Sequence, residues 1–82
     1  MSKKIKQDIS IGGNLQKYRC KAKLSQELVA TKLQAQGLDI SREMISQMER
    51  GLYSIRVSVL LALAEIYKTP IQDFFANLDR YE

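Results

Sequence analysis

The 82 residues are enough for one domain with a single core and leave no room for a second. A hydrophobic share of 45% beside 27% charged residues points to a compact fold rather than disorder. A single cysteine, Cys20, and the absence of histidine exclude an internal disulfide and a zinc site, and the carboxylates show no clustered ligand pattern, so no metal or cofactor is expected. The formal charge of +4 is uneven. Up to residue 23, Lys3, Lys4, Lys6, Lys17, Arg19, Lys21 and Lys23 face only Asp8, whereas from Glu65 onward Lys68 and Arg80 face Glu65, Asp73, Asp79 and Glu82. A basic end attracts polyanions, nucleic acid first among them, although solubility alone also accounts for many small basic proteins. No apolar run approaches the ~18 residues of a membrane span and no signal-peptide core opens the chain, so the expectation is a cytoplasmic protein with no membrane partner.

In chain order, residues 1–9 read as a basic arm, 10–76 as the folded domain and 77–82 as a tail. Ser10 is placed to cap a first helix from about Ile11 to Ala22, with Ile11, Leu15, Tyr18 and Ala22 on its apolar face. Ser25 caps a second helix, with Leu24 stapled to Val29 and the inward face continuing through Ala30 and Leu33. Gly37 stops it, and a left-handed Gly37 would fold Leu38 back on Leu33 in a Schellman ending. The third helix starts in the same way, with Ser41 as cap and Ile40 stapled to Ile45; Ile45 and Met48 point inward, Met44 sits at the edge, and Gly51 ends it. A fourth helix is expected from about Val57 to Lys68 with Val57, Leu60, Leu61, Ala64 and Tyr67 buried. Thr69-Pro70-Ile71-Gln72 then reads as a capping box with proline at the first position of a short fifth helix carrying Phe74 and Phe75. No strand is expected.

On the outward face of the third helix, Arg42, Glu43, Ser46, Gln47 and Arg50 form one polar stripe opposite Ile45 and Met48. These are residue types that read base edges: arginine bonds guanine O6 and N7, glutamine bonds adenine N6 and N7, and glutamate accepts from cytosine N4. A stripe of this kind taken alone is more often a solvated helix face. Its setting, two stapled and serine-capped helices joined through a glycine turn and flanked by a helix on either side, favours the reading function.

Leu24-Ser25-Gln26-Glu27 with Ala30-Thr31-Lys32-Leu33, followed by Ile40-Ser41-Arg42-Glu43-Met44-Ile45-Ser46-Gln47-Met48-Glu49-Arg50-Gly51, resembles the phage repressor/Cro-like helix-turn-helix family, also called the xenobiotic-response-element family. The resemblance runs from about Ile11 to Phe75. It implies an all-α, five-helix, lambda-repressor-like DNA-binding domain encoded by a bacterium or phage. It further implies that Arg42, Glu43, Ser46 and Gln47, with Arg50 at the far end, face bases. Ser25 and Gln26 would meet a phosphate at the mouth of the groove, where a helix N-terminus favours an anion. Tyr53, Ser54 and Arg56 would meet phosphate on the other side of the half-site. Arg19 matches the family arginine that pairs with a glutamate ending the third helix, here Glu49; a solvated pair is the plain alternative.

One spacing and three positions depart from the family pattern. Seven residues separate Leu33 from Ser41 where about three are usual, so the second helix is expected to run about a turn longer. Leu28 stands where an acidic residue would complete a capping box, Lys23 where glycine commonly ends the first helix, and Arg56 where the fourth helix would be capped. Lys3, Lys4 and Lys6 could lie along DNA beside the main groove or form a solubilising tail.

The sequence therefore describes a sequence-specific regulator of double-stranded DNA, a repressor acting on a palindromic operator with the third helix in the major groove. A homodimer is expected from the aromatic C-terminal end, with Phe75, Leu78 and Tyr81 as contacts; the alternative is that Phe74 completes the core and the others cover it. An antitoxin-like protein or a protein-interaction module on the same fold is the rival function. An enzyme is not expected, because there is no histidine, no thiol pair and no phosphate-cradling glycine loop, and no small-molecule effector is expected either.

Overall fold

A computed structural model of the chain describes residues 4–5 and 9–78. Four helices, α1 (Gly12–Lys21), α2 (Gln26–Ala35), α3 (Arg42–Glu49) and α4 (Val57–Ile66), are followed by a 3-10 helix at Ile71–Phe75. A short antiparallel ribbon joins β1 (Lys4–Ile5) to β2 (Ile55–Arg56), with Lys4 opposite Arg56 and Ile5 opposite Ile55. α3 packs against both α1 and α2, while α4 backs onto α2 and the 3-10 helix onto α1 and α4. The expected helical architecture is present, and the ribbon is an addition to it, since no strand was expected.

The core draws on every helix: Leu15 from α1, Val29 and Leu33 from α2, Ile45 and Met48 from α3, Val59, Leu60 and Leu63 from α4. Ile40 and Ile55 seal it from the connections, and Phe74 closes its end. The Phe74 ring meets Tyr18 at 6.0 Å between centroids and Tyr67 edge-on at 6.2 Å. Asn14 holds this end in place from α1, donating through Nδ2 to the carbonyls of Phe74 (2.9 Å) and Ala76 (2.8 Å).

The helix starts follow local chemistry. Ser25 Oγ accepts from Leu28 N–H at 3.0 Å, and Ser41 Oγ from Met44 N–H at 3.1 Å. At α1 the first helical residue is Gly12, one later than expected; Ser10 Oγ accepts its N–H at 3.0 Å, so Ser10 serves from two residues upstream. All four α-helices end alike. In α2 the Gly37 N–H donates to Gln34 O and Leu38 N–H to Leu33 O, the Schellman pattern. The same pair of bonds recurs at Lys23 and Leu24, at Gly51 and Leu52, and at Lys68 and Thr69. The pivotal residue is left-handed each time, with φ of 62° at Lys23, 83° at Gly37, 74° at Gly51 and 52° at Lys68.

Several expectations need correction. Only Gln34 and Ala35 of the seven residues between Leu33 and Ser41 are helical; the rest form the turn, closed by Gln34 Nε2 donating to Ile40 O at 2.9 Å. α4 stops at Ile66 rather than Lys68, because the chain turns left-handed at Lys68. Its buried face is also rotated from the one expected. Val59, Leu60, Ala62 and Leu63 are buried, whereas Val57 and Leu61 are exposed and Ala64 is half-buried. A helix apolar on almost every side has no periodicity to select its inner face; Ile55 and Phe74, which seal its two ends, do the selecting. The fifth helix is 3-10 rather than α, Pro70 precedes it as its cap residue, and the Thr69 hydroxyl donates to Tyr67 O instead of forming a capping box.

Candidate nucleic-acid interface

α3 leaves Arg42, Glu43 and Arg50 exposed and Ser46 and Gln47 half-buried, while Ile45 and Met48 anchor the opposite side. The five residues expected to read bases thus share one outward surface, with Arg50 as the residue that caps the helix. The Met44 sulfur accepts weakly from the Ser41 N–H at 3.5 Å, which completes the start of α3 with a thioether where a carboxylate or amide is more usual.

At one flank, Ser25, Gln26 and Glu27 from the start of α2 line an open depression together with Arg19 and Arg42. The α2 N-terminus brings partial positive charge to this spot and Arg42 a full one, an arrangement suited to an anion. Leu28 is 43% exposed and makes no capping box, as the departure from the family pattern implied. At the other flank, Tyr53, Ser54 and Arg56 line a cleft of about 180 Å³ with Ile40, Met48 and Val59. Arg56 precedes α4 without capping it through its side chain. The two sets expected to meet phosphate therefore line two separate depressions, one shared with Arg42 and the other with Met48 of α3.

Glu49 fixes this geometry. Its carboxylate accepts from Arg19 Nε at 2.6 Å and Nη2 at 3.1 Å, a bidentate pair with side chains only 12% and 4% exposed. Arg19 Nη1 also donates to Leu24 O at 2.8 Å, and Gln26 Nε2 donates to Glu49 Oε1 at 2.9 Å. Three elements meet at this one carboxylate, α1 through Arg19, the first residue of α2 and the last of α3, and the turn after α1 is tied in through Arg19. The hydrogen bonds to Glu49 raise the pKa of Arg19 above its ordinary value, so the guanidinium keeps its charge. A glutamine amide has two N–H donors, and the bond to Glu49 uses one; the other remains for an anion in the depression beside it.

Nothing in the residue pattern singles out Gly12. A Cβ built there would lie 2.2 Å from Glu49 O, 2.6 Å from Glu49 C and 2.8 Å from Met48 O, all backbone atoms. Backbone thus meets backbone where α1 crosses the end of α3, an approach that no residue spacing signals. Among the residues expected at a dimer seam, Phe75 is 41% exposed and Leu78 half-buried, while Tyr81 lies outside the described residues, as do Lys3 and Lys6 of the arm. Among the described residues, no group of three or more His, Cys, Asp or Glu side chains is placed to hold a metal, and no helix is long and apolar enough to cross a membrane.

The helix-turn-helix family profile matches residues 15–74. Among solved structures, the chain is similar to the DNA-binding domain of BldD, with 28% sequence identity and a TM-score of 0.65 over 90% of this chain and 97% of that one. No curated protein matches at a significant level.

Proposed function

The chain belongs to the helix-turn-helix family of Cro-like regulators, and from that premise we propose that it is a homodimeric repressor that sets α3 in the major groove of a palindromic operator. It is a DNA-binding transcriptional regulator. The observation that carries the finer reading is the row Arg42, Glu43, Ser46, Gln47 and Arg50 at helical spacing along α3, with Arg42, Glu43 and Arg50 exposed and Ser46 and Gln47 half-buried, beside two depressions lined by the groups expected to meet phosphate. Contacts from Ser25, Gln26, Tyr53, Ser54 and Arg56 would position the domain, and contacts from the row would read sequence. Two copies spaced by one turn of DNA would read two half-sites, which gives the specificity that one small domain lacks. Phe75, exposed beside the buried Phe74, supplies apolar surface for pairing. Occupancy of a promoter is sufficient for repression.

Selection of bound sequences from a random DNA pool, followed by titration of variants on the selected site, tests this reading. The selected sites should show two-fold symmetry. Arg42→Ala and Gln47→Ala should relax base preference, each weakening the selected site by about 1–3 kcal/mol, while Gln26→Ala should weaken all sequences alike. Identical behaviour of the Gln26 and Gln47 variants refutes the division of roles. A strict monomer in sedimentation at micromolar concentration, with asymmetric selected sites, refutes the homodimer.

A further inference from the structure

Two of the exposed apolar residues stand on one line of one helix. Val57 (41% exposed) and Leu61 (54%) are four residues apart on α4, so they lie one above the other on its outer face. Ile9, Leu28, Leu52 and Phe75 are exposed too, but each stands on a segment of its own, and single exposed apolar residues are ordinary. The line continues one turn further to Glu65, which is exposed. At its other end stands Arg56, also exposed, beside the α4 N-terminus, whose first turn carries no acidic residue. The stripe is thus positive at its start, apolar in the middle and negative at its end, and the helix dipole runs in the same sense. Lys68 lies past the end of the helix, on left-handed backbone. A surface of this polarity is complementary to itself turned end for end. Arg56 also lines the cleft with Tyr53 and Ser54, so the stripe begins where the segment expected to meet phosphate ends.

We propose that the outer face of α4 is a seam between two copies of this chain, packed antiparallel about a two-fold axis at Leu61. In that arrangement each Leu61 meets its counterpart, Val57 packs beside it, and each Glu65 faces the Arg56 end of the other helix, so every contact forms twice. The seam is small. The outer face of α4 offers Val57, Ser58, Leu61, Ala64 and Glu65, against the roughly 20–30 residues a side of a stable interface. Such a contact does not hold two copies together in dilute solution. It acts once DNA holds them on neighbouring half-sites, where each copy is at high effective concentration for the other, and the second copy then binds cooperatively. This rests on the two-copy reading above and adds to it a contact that Phe75 does not supply.

The test uses the full chain on its selected operator, with affinity measured by fluorescence anisotropy for one intact half-site and for two. The wild type should bind the second half-site roughly 5- to 150-fold more tightly than the first. Leu61→Asp sets two like charges at the axis and should bring that factor close to one. Glu65→Arg sets a cation against the Arg56 end of the other helix and should lower it by about two- to tenfold. Both residues are exposed and stand outside the reading row and the phosphate sets, so affinity for a single half-site should stay near that of the wild type. A residue at the axis also meets its own copy. With the exposed Cys20 changed to serine, Leu61→Cys should give a disulfide-linked dimer when diamide is added on the operator, and Leu28→Cys should not. Full cooperativity in Leu61→Asp overturns the seam and leaves the α4 face to a different partner protein. A Phe75→Cys cross-link with none at Leu61→Cys overturns it and leaves a dimer through the aromatic end. Equal cross-linking at Leu28→Cys, or no cooperativity in the wild type, overturns it with DNA binding left standing. Failure of the wild type to bind any DNA at low salt overturns the underlying reading, and the seam with it.

Discussion

Gly12 and Gly13 are adjacent in sequence and both begin α1, yet the structure gives them opposite expectations. A methyl group at Gly13 meets nothing within 4 Å. Gly13→Ala should therefore gain helix propensity alone, stabilising the fold by about 0.5–1 kcal/mol. A methyl group at Gly12 would fall 2.2 Å from a backbone oxygen of Glu49, against the roughly 3.5 Å at which carbon contacts become favourable. Neither partner is a flexible side chain, so α1 and the end of α3 must separate by about 1 Å. That movement works against the 2.6 Å bond between Arg19 and Glu49, which spans the same two helices. Overpacking of this kind costs about 1–3 kcal/mol, and a weakened ion pair adds to it, so Gly12→Ala should destabilise despite its better helix propensity. Thermal unfolding by calorimetry reads the contrast, at roughly 4–8 °C per kcal/mol for a domain of this size. Gly12→Ala should melt below the wild type and Gly13→Ala above it. If both variants raise the melting temperature, the close crossing of α1 and α3 is wrong.

Three further outcomes follow from the geometry. Arg19→Met or Glu49→Gln alone should cost about 2–4 kcal/mol in urea unfolding, because each leaves a largely buried polar partner behind, whereas the Arg19→Met, Glu49→Met double variant should cost clearly less than the sum. Lys23→Gly and Lys68→Gly should each stabilise by about 1 kcal/mol, since both lysines occupy left-handed backbone; no gain at either position would contradict the helix endings described above. Burial raises the pKa of Tyr67 from its ordinary 10.0, so the folded state retains the neutral phenol after the unfolded chain has begun to ionise. This contribution is fully present below pH 10 and is lost as pH rises above it, at up to about 1.4 kcal/mol per pH unit. Equilibrium unfolding between pH 9 and 11 should show that fall, and Tyr67→Phe should reduce it.

What could be read from the sequence was what neighbouring residues decide. Ser25 and Ser41 cap their helices within three residues, and Gly37 and Gly51 stop them within five, so those signals lie on the chain itself. The inward side of α4 did not, because VSVLLALAEI offers apolar residues on nearly all sides and Ile55 and Phe74 settle the phase from outside the helix. The ribbon was invisible for a related reason: two residues per strand carry no alternation to detect. The α3 row could be read as a stripe, and Arg19 with Glu49 through family resemblance. Their junction with Gln26, and the bare backbone at Gly12, depend on how three helices cross.

The four matching helix endings bear on how quickly the fold can assemble. Each is closed by two bonds that reach back no more than five residues, so no helix has to wait for a distant segment before its end is set. The search left to the collapsing chain is then mainly one of packing preformed rods, and short-range contacts of this kind accompany folding in microseconds to milliseconds. The slow exceptions would be the contacts that span the chain: Asn14 with the carbonyls of Phe74 and Ala76, and the arm with β2. A transition state with α2, α3 and their turn already formed, and these two closures still open, is the kinetic counterpart of a sequence that writes its stop signals locally.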